Sequence, residues 1–303
     1  MSDEVLMLAK KFDIKKCTFP VVATEKLDGV AADFYGTYEG DIEVRSRQDK
    51  PILSVAHIQE WLKHRLPPTH HLICELYIPG VPFKDVSGMV RKQENNPAIQ
   101  AHVYDYYMVG GEHLTYKARM NIMAENIGSD VLEDPNSPVR LIPGHYCHVA
   151  DNLRAYIEKF SQEKPNAEGL VIRDLTGPNS GYKFGRSWGM QKLKNQGTVD
   201  LEIHSFEEAI DKDGNPKGMV GRINVLYHTG ASSDGKNEYT DYEIIGAGPG
   251  KMSHAERTKV WKNQKDYIGR IAEISYMPDP AYNALREPRF YRWRDDKSEP
   301  SQE

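Results

Sequence analysis

The stretch Thr24-Glu25-Lys26-Leu27-Asp28-Gly29-Val30 decides how this chain is read. Apolar Val21 and Val22 lead into it, and Val30 to Phe34 resumes the apolar pattern after it. The spacing predicts a strand, a tight turn at Asp28-Gly29 and one lysine presented at that turn. Taken alone, Lys-x-Asp-Gly describes a hairpin turn with an exposed lysine better than it describes anything catalytic. The remainder of the chain separates the two.

The chain has 303 residues, 39% hydrophobic and 27% charged, which excludes a disordered polymer and fits one large or two ordinary domains. A net charge of −5 excludes a uniformly cationic nucleic-acid binder, so any such contact needs a local basic face. The three cysteines, Cys17, Cys74 and Cys147, are scattered and odd in number, which points to a reducing compartment rather than a disulfide framework. Asp3 and Glu4 stand where a signal peptide needs basic and apolar residues, and no apolar run has the length of a membrane span. A cytoplasmic protein without membrane contact is expected.

Outward from the lysine, Ser2 to Phe12 reads as a short helix capped by Ser2. Ile42 to Arg47 and His71 to Ile78 read as strands, with a helix over Leu53 to Leu66 between them that Pro67-Pro68 ends. Ala101 to Val109 is a tyrosine-rich strand, Tyr116 to Ile127 and Asn152 to Phe160 have helical spacing, and Ala167 to Asp174 is a strand. A boundary falls near Asn195 to Gly197. Beyond it Val199 to Phe206, Val220 to Tyr227, Asp241 to Ile245 and Ile271 to Tyr276 alternate as strands, interrupted by one helix over Ser253 to Ile268. Ser253 and Glu256 form a capping box at its start, and Gly269 follows its end. Such a pattern fits a small Greek-key barrel such as the OB-fold.

Two carboxylates interrupt apolar strands: Glu75 in Leu72-Ile73-Cys74-Glu75-Leu76 and Glu168 at the head of Gly169-Leu170-Val171-Ile172. A carboxylate in such a place needs a cation, a metal or a donor, unless it simply reaches solvent at a strand end. Lys192 and Lys194 fall on one face of a strand, opposite Leu193, and two like charges side by side call for an anion. The densest basic segment is Leu285 to Lys297, which also carries Phe290, Tyr291 and Trp293. His145-Tyr146-Cys147-His148 lacks the second ligand pair of a zinc site, His70-His71 reads as loop, and Asp211 to Asn215 reads as a hairpin turn rather than a calcium loop.

In their order along the chain, these pieces resemble the ATP-dependent DNA ligases of the covalent nucleotidyltransferase superfamily, most of all the small bacteriophage type. The resemblance covers nearly the whole chain. It implies an α+β fold: a nucleotidyltransferase (ATP-grasp-like) domain of antiparallel sheets and helices over 1–196, then an OB-fold β-barrel domain over 197–303. By the same resemblance Lys26 is the nucleophile that becomes AMP-lysine, Asp28 belongs to its motif, and the backbone at Glu25 reads the adenine edge. Arg47 and Glu75 approach the ribose, Tyr104 stacks on adenine, and Lys192 and Lys194 hold the α-phosphate. Arg294 and Lys297 face the departing pyrophosphate, with a hinge near Asn195 to Asp200. Glu168, with Glu75, is implied as a carboxylate for Mg²⁺ or Mn²⁺.

The expected partners are ATP and nicked duplex DNA, the expected state a monomer in a bacterial host cytoplasm, and the expected roles DNA replication, repair and recombination. The chain departs from the family pattern at Ala31, where DNA ligases carry arginine two residues after the motif glycine. Either Arg45 or Arg47 supplies that guanidinium, or the nick is handled differently. An RNA ligase or a capping-type nucleotidyltransferase therefore stands as the alternative.

The chemistry implied is three in-line phosphoryl transfers: from ATP to Lys26, from Lys26 to a 5′-phosphate, and from that adenylate to a 3′-hydroxyl. A free lysine has a pKa of ~10.4, and only its unprotonated amine attacks, so nearby cations such as Lys192 and Lys194 favour the reaction.

Overall fold

The computed structural model describes residues 6–128, 132, 134, 136–233, 238–277 and 285–301. They form two compact units, Met1–Lys194 and Asn195–Glu303.

The first unit contains two five-stranded sheets. One has the order β4-β3-β5-β6-β7, from Val30–Gly36 (β3), Ile42–Ser46 (β4), His70–Tyr77 (β5), Gln100–Met108 (β6) and Val139–Leu141 (β7). On its outer face Ala32, Phe34, Leu72, Cys74, Leu76 and Val103 alternate into one core with three helices, Ala56–Leu62 (α1), Phe83–Val90 (α2) and Tyr116–Ile127 (α3). The other sheet has the order β1-β10-β9-β2-β8, from Met7–Lys11 (β1), Val21–Glu25 (β2), Gly144–Cys147 (β8), Gly169–Asp174 (β9) and Gly185–Lys194 (β10). Its outer face, Val21, Ala23, Leu170 and Ile172, is covered by Leu153 and Phe160 of Ala150–Glu163 (α4). Between the two sheets lies a third apolar layer of Leu6, Met7, Ile73, Tyr107, Tyr182 and Met190, with Ala31, Tyr104 and Val171 packed against it.

The second unit is one antiparallel sheet, β13-β12-β11-β14-β15, from Gly197–Ile210 (β11), Pro216–Ser233 (β12), Glu238–Ala247 (β13), Ile271–Met277 (β14) and Arg286–Trp293 (β15). A bridge between Gly248 and Arg289 joins its two ends and closes the barrel. Helix His254–Lys262 (α5) packs Val260 into the barrel core with Ile203, Val225 and Ile274. Ser253 caps that helix by accepting from the Glu256 N–H at 3.2 Å. Only half of the expected capping box forms, because the Glu256 carboxylate accepts from Trp293 Nε1 instead, at 2.9 Å.

Several expectations are corrected. Met7–Lys11 is a strand rather than part of a helix, because it pairs in parallel with β10; Ser2, Asp3 and Glu4 lie outside the described residues. The sheets of the first unit are mixed rather than antiparallel, since β1 pairs parallel with β10 and β6 with β7. The helix expected over Leu53 to Leu66 is confined to Ala56–Leu62. His70 and His71 sit inside β5, where His71 stacks between Tyr35 and Tyr107 with ring centroids at 5.4 and 4.3 Å.

Candidate nucleotidyltransferase site

The β2–β9 ladder assembles the centre of the site. Glu25 pairs with Leu170, and one residue further the Lys26 N–H donates to the Gly169 carbonyl at 2.8 Å. Lys26 and Glu168 are thereby brought to the same end of adjacent strands. Lys26 Nζ meets Glu168 Oε2 at 2.5 Å, and Lys194 Nζ meets Glu168 Oε1 at 3.4 Å. Glu168 is only 6% exposed, against 24% and 27% for the two lysines, so a sheltered carboxylate holds two partly open cations.

Glycine is required at two positions of this frame. A Cβ on Gly29 would stand 2.3 Å from the Leu76 carbonyl oxygen and 2.9 Å from Glu75 Cγ. A Cβ on Gly169, at φ +140°, would stand 2.0 Å from the Leu193 carbonyl oxygen. The two contacts let the lysine turn close down on β5 and let β9 close down on β10.

Glu75 sits where that turn approaches. Burial pushes its carboxyl up to about 7; the Lys26 charge opposes the rise, Glu168 adds to it, and a hydrogen bond from the Gly29 N–H again opposes it. Lys192, on the same face of β10 as Lys194, is held below the ordinary lysine value by burial, then by the charges of Lys194, Lys26 and Arg186. Lys26, Glu75, Glu168 and the Lys192–Lys194 pair, read from four places in the sequence, thus form one electrostatic cluster.

Tyr104 lies in the layer between the sheets, packed with Ala31 and Val171, and burial pushes its phenol well above the usual range. A cavity of about 460 Å³ is lined by Glu25, Lys26, Asp28, Tyr77, Lys164 and Glu168 among others. Glu25 ends β2, and its side chain accepts from Lys164, a partner that sequence reading missed.

Ala31 faces Glu75 across β3 and β5, the β3–β4 ladder ends with Ala32 facing Ser46, and Arg47 enters the turn that follows. Arg45 is committed to Asp49 at 2.9 Å and Glu43 at 3.3 Å, whereas Arg47 is exposed and forms no ion pair among the described residues.

Arg294 and Lys297 belong to the second unit, where both engage Asp200. Arg294 Nη1 donates to its two oxygens at 2.9 and 2.7 Å, and Lys297 Nζ donates at 2.6 Å. The sequence held no signal for Asp200: it stands at a polar position of the alternating Val199, Leu201, Ile203 pattern, where a carboxylate is ordinary, unlike Glu75 in its apolar run.

No protein-family model and no curated protein matches the chain. Solved structures do. One described as "Pmar-Lig_Pre." matches with TM-score 0.75 and 21% identity over 97% of this chain and 68% of that one. A structure from a structure-function analysis of Lig E DNA ligases, presented as DNA binding with a minimal scaffold, matches with TM-score 0.67 and 20% identity over 95% and 98%. The ATP-dependent DNA ligase of bacteriophage T7 in complex with ATP matches with TM-score 0.55 and 19% identity over 97% and 99%. The chain therefore has the fold of the minimal DNA ligases, a nucleotidyltransferase domain followed by an OB domain. Lig E and T7 scaffolds both match nearly end to end, so the likeness is to the shared scaffold and not to its phage form in particular.

Proposed function

We propose that this chain is an ATP-dependent DNA ligase that seals nicks bearing a 5′-phosphate and a 3′-hydroxyl, with Lys26 as the nucleophile. The observation that carries the reading is the contact of Lys26 Nζ with the sheltered Glu168 carboxylate, near the charges of Lys194, Lys192 and Glu75, in the lining of a cavity in a ligase fold. A lysine held by a buried partner is fixed in position, and fixed position is what an in-line displacement needs.

In the first step the Lys26 amine forms a bond to the α-phosphorus of ATP, the bond to the β-phosphate oxygen breaks, and pyrophosphate leaves. Glu168 orients Nζ and takes the proton that the nitrogen loses as its bond to phosphorus forms. Lys192 and Lys194 supply charge to the non-bridging α-phosphate oxygens, where negative charge builds up. Arg47 and Glu75 approach the ribose, Tyr104 stacks on adenine, and the Glu25 backbone reads the base edge. Arg294 and Lys297 attend the pyrophosphate, which requires that Asp200 yield them. The AMP then passes from Lys26 to the 5′-phosphate of the nick, and the 3′-hydroxyl displaces it.

A divalent cation belongs to this chemistry. Among the described residues no group of three or more His, Cys, Asp or Glu could hold a metal alone. Glu168 and Glu75 fit a cation that keeps its waters and is shared with substrate phosphates, as Mg²⁺ or Mn²⁺ is. When bound, it supplies charge neutralisation at the phosphates. By the resemblance stated above, the protein is read as the small bacteriophage type, acting as a monomer in host cytoplasm in replication, repair and recombination. The adenylyltransferase domain is taken as 1–196 and the OB domain as 197–303.

Ala31 favours one second reading, an RNA ligase, because such enzymes tend to lack arginine there. Incubation with α-labelled ATP and Mg²⁺, then with nicked duplex DNA or nicked duplex RNA, tests both. Label on wild type but not on Lys26→Ala, discharged with sealing of DNA, is the expected result. Discharge on RNA alone would replace DNA ligase by RNA ligase, label from GTP in place of ATP would indicate capping, and no label at all would remove the reading.

A further inference from the structure

Three charged side chains of the first unit are almost completely enclosed. Asp105 of β6 and Arg119 of α3 are each 1% exposed, and Arg173 of β9 is 2% exposed. One carboxylate faces two guanidinium groups. Arg119 is fully used: Nε and Nη2 donate to Asp105 Oδ1 at 3.1 and 2.9 Å, and Nη1 donates to the Leu114 and Ser180 carbonyls at 2.7 and 2.8 Å. Asp105 Oδ1 also accepts from the Tyr106 N–H at 2.8 Å. Arg119 and Asp105 thus make a complete and neutral pair.

Arg173 is surplus to it. Its Nη1 donates to Asp105 Oδ2 at 2.8 Å, while Nε and Nη2 are buried without a hydrogen-bond partner among the described residues. An extra buried cation with two unmade donors is costly, and an unbranched apolar side chain would suit a purely structural cluster better. What the guanidinium does have is aromatic contact. Its carbon lies 5.3 Å from the Tyr104 ring centroid and 5.1 Å from that of Tyr116. The Tyr116 hydroxyl in turn donates to the Tyr104 carbonyl at 3.3 Å.

We propose that Arg173 is a positioning and base-specificity residue, whose guanidinium fixes the Tyr104 ring and draws electron density from it, so that an electron-rich purine stacks more strongly on its other face. The inference rests on the reading above, in which Tyr104 receives the base of ATP. A cation over one face of an aromatic ring is attracted by the ring's negative quadrupole, and the attraction grows when water is excluded. The cost of the unmatched charge is then offset by function at this position, a pattern expected at sites and not in plain cores. Segment 168–173 would do two tasks at once, holding Lys26 through Glu168 and the base through Arg173.

The test measures initial rates of lysyl-adenylate formation against ATP concentration for the full chain, wild type, Arg173→Met and Arg173→Lys, with thermal unfolding alongside. Arg173→Met is expected to unfold no earlier than wild type, since a neutral pair remains. It should raise half-saturating ATP about ten-fold, far more than it lowers the maximal rate. CTP and UTP should compete better against ATP, and Arg173→Lys should fall between the two. In a Tyr104→Leu background Arg173→Met should add nothing to half-saturating ATP. Unchanged half-saturating ATP, an additive effect with Tyr104→Leu, or parallel losses of stability and maximal rate would each overturn the inference while the ligase reading stands. A wild type that takes no label from ATP would remove both.

Discussion

Glu168 and Asp200 invite comparison because each is a sheltered carboxylate, 6% exposed, between two cations. Their surroundings differ in how completely the carboxylate is used. Glu168 has one contact to each of two lysines, Lys26 at 2.5 Å and Lys194 at 3.4 Å. Asp200 takes Arg294 on both oxygens, Lys297 at 2.6 Å and the Ser301 hydroxyl at 3.2 Å, and its backbone carbonyl accepts from the Ser301 N–H at 3.0 Å. Arg294 is itself forked onto Asp296 at 2.9 and 2.8 Å. A planar arginine fork against a carboxylate is directional and strong, whereas a lysine on four methylenes is a point charge that swings. The first cluster therefore commits its cations less fully than the second, which ties residues 294–301 to β11.

The largest effect should come at Lys26. Lys26→Arg keeps the charge beside Glu168 and should preserve the fold, yet covalent labelling by ATP should fall below about one thousandth of wild type, because arginine stays protonated and cannot attack. Labelling at a tenth of wild type would show that the cluster binds ATP without Lys26 as nucleophile, and the contrast with Asp200 would lose its meaning.

Next in size is Glu168→Gln. The amide cannot neutralise Lys26 and Lys194, so three neighbouring lysines would repel and Nζ would lose its orientation. Single-turnover adenylylation should drop about 10²- to 10³-fold while the unfolding temperature moves little. A large loss of stability with little loss of rate would make Glu168 a structural residue like Asp200.

For Asp200 the expected signature is the reverse. Asp200→Ala should destabilise the second unit by about 2–4 kcal/mol, measured by urea unfolding, since it strands Lys297 and half of the Arg294 fork. The pH dependence has a definite sign. Burial raises the Asp200 carboxyl, but hydrogen bonds from Lys297 and Ser301 and the Arg294 charge outweigh it, so the folded value lies below the ordinary 3.8. Its stabilisation is then complete above pH 3.8 and lost as pH falls through the lower, folded value. The gap between wild type and Asp200→Ala should be constant near neutrality and close in acid; a gap that widened in acid would refute the assignment.

The sequence disclosed the reacting centre better than its supports, for a physical reason. Glu75, Lys192 and Lys194 are charges in strands, and Lys26 and Glu168 stand at strand ends, places where a charge demands an account that a linear reading can ask for. The same demand applied to Asp105 and Arg173 and was not pressed, because pairing between elements is invisible without topology, while Asp200 stands at the polar position of an alternating strand and raised no demand. The strand at Met7–Lys11 was read as helix because Leu, Met, Ala and Lys favour helices, and only its parallel pairing with β10 overrides that preference. Helix α2 went unread because it follows Pro79-Gly80 and carries Gly88, both of which speak for loop. Arg294 and Lys297 were read as ligands of pyrophosphate, and the finding that both rest on Asp200 adds a competitor that the resemblance does not contain.

The smallest and most discriminating change is at Ser301. Its hydroxyl accepts from Lys297 Nζ at 3.0 Å and donates to Asp200 Oδ2 at 3.2 Å, so it closes a ring of three polar groups. Ser301→Ala removes that hydroxyl and leaves the Arg294 fork, the Lys297 contact and the Ser301 backbone bonds to Asp200 in place. If the Asp200 cluster is a saturated structural knot, the loss should be a single neutral hydrogen bond beside charged groups, about 0.5–1.5 kcal/mol by urea unfolding. Adenylylation from ATP should then be unaltered. If the cluster instead yields its cations to pyrophosphate during turnover, the same substitution loosens Lys297 and should lower the pyrophosphate concentration that half-reverses lysyl-adenylate formation. The two outcomes move different observables, so one conservative variant decides whether Asp200 only fastens the barrel or also governs when Arg294 and Lys297 are released.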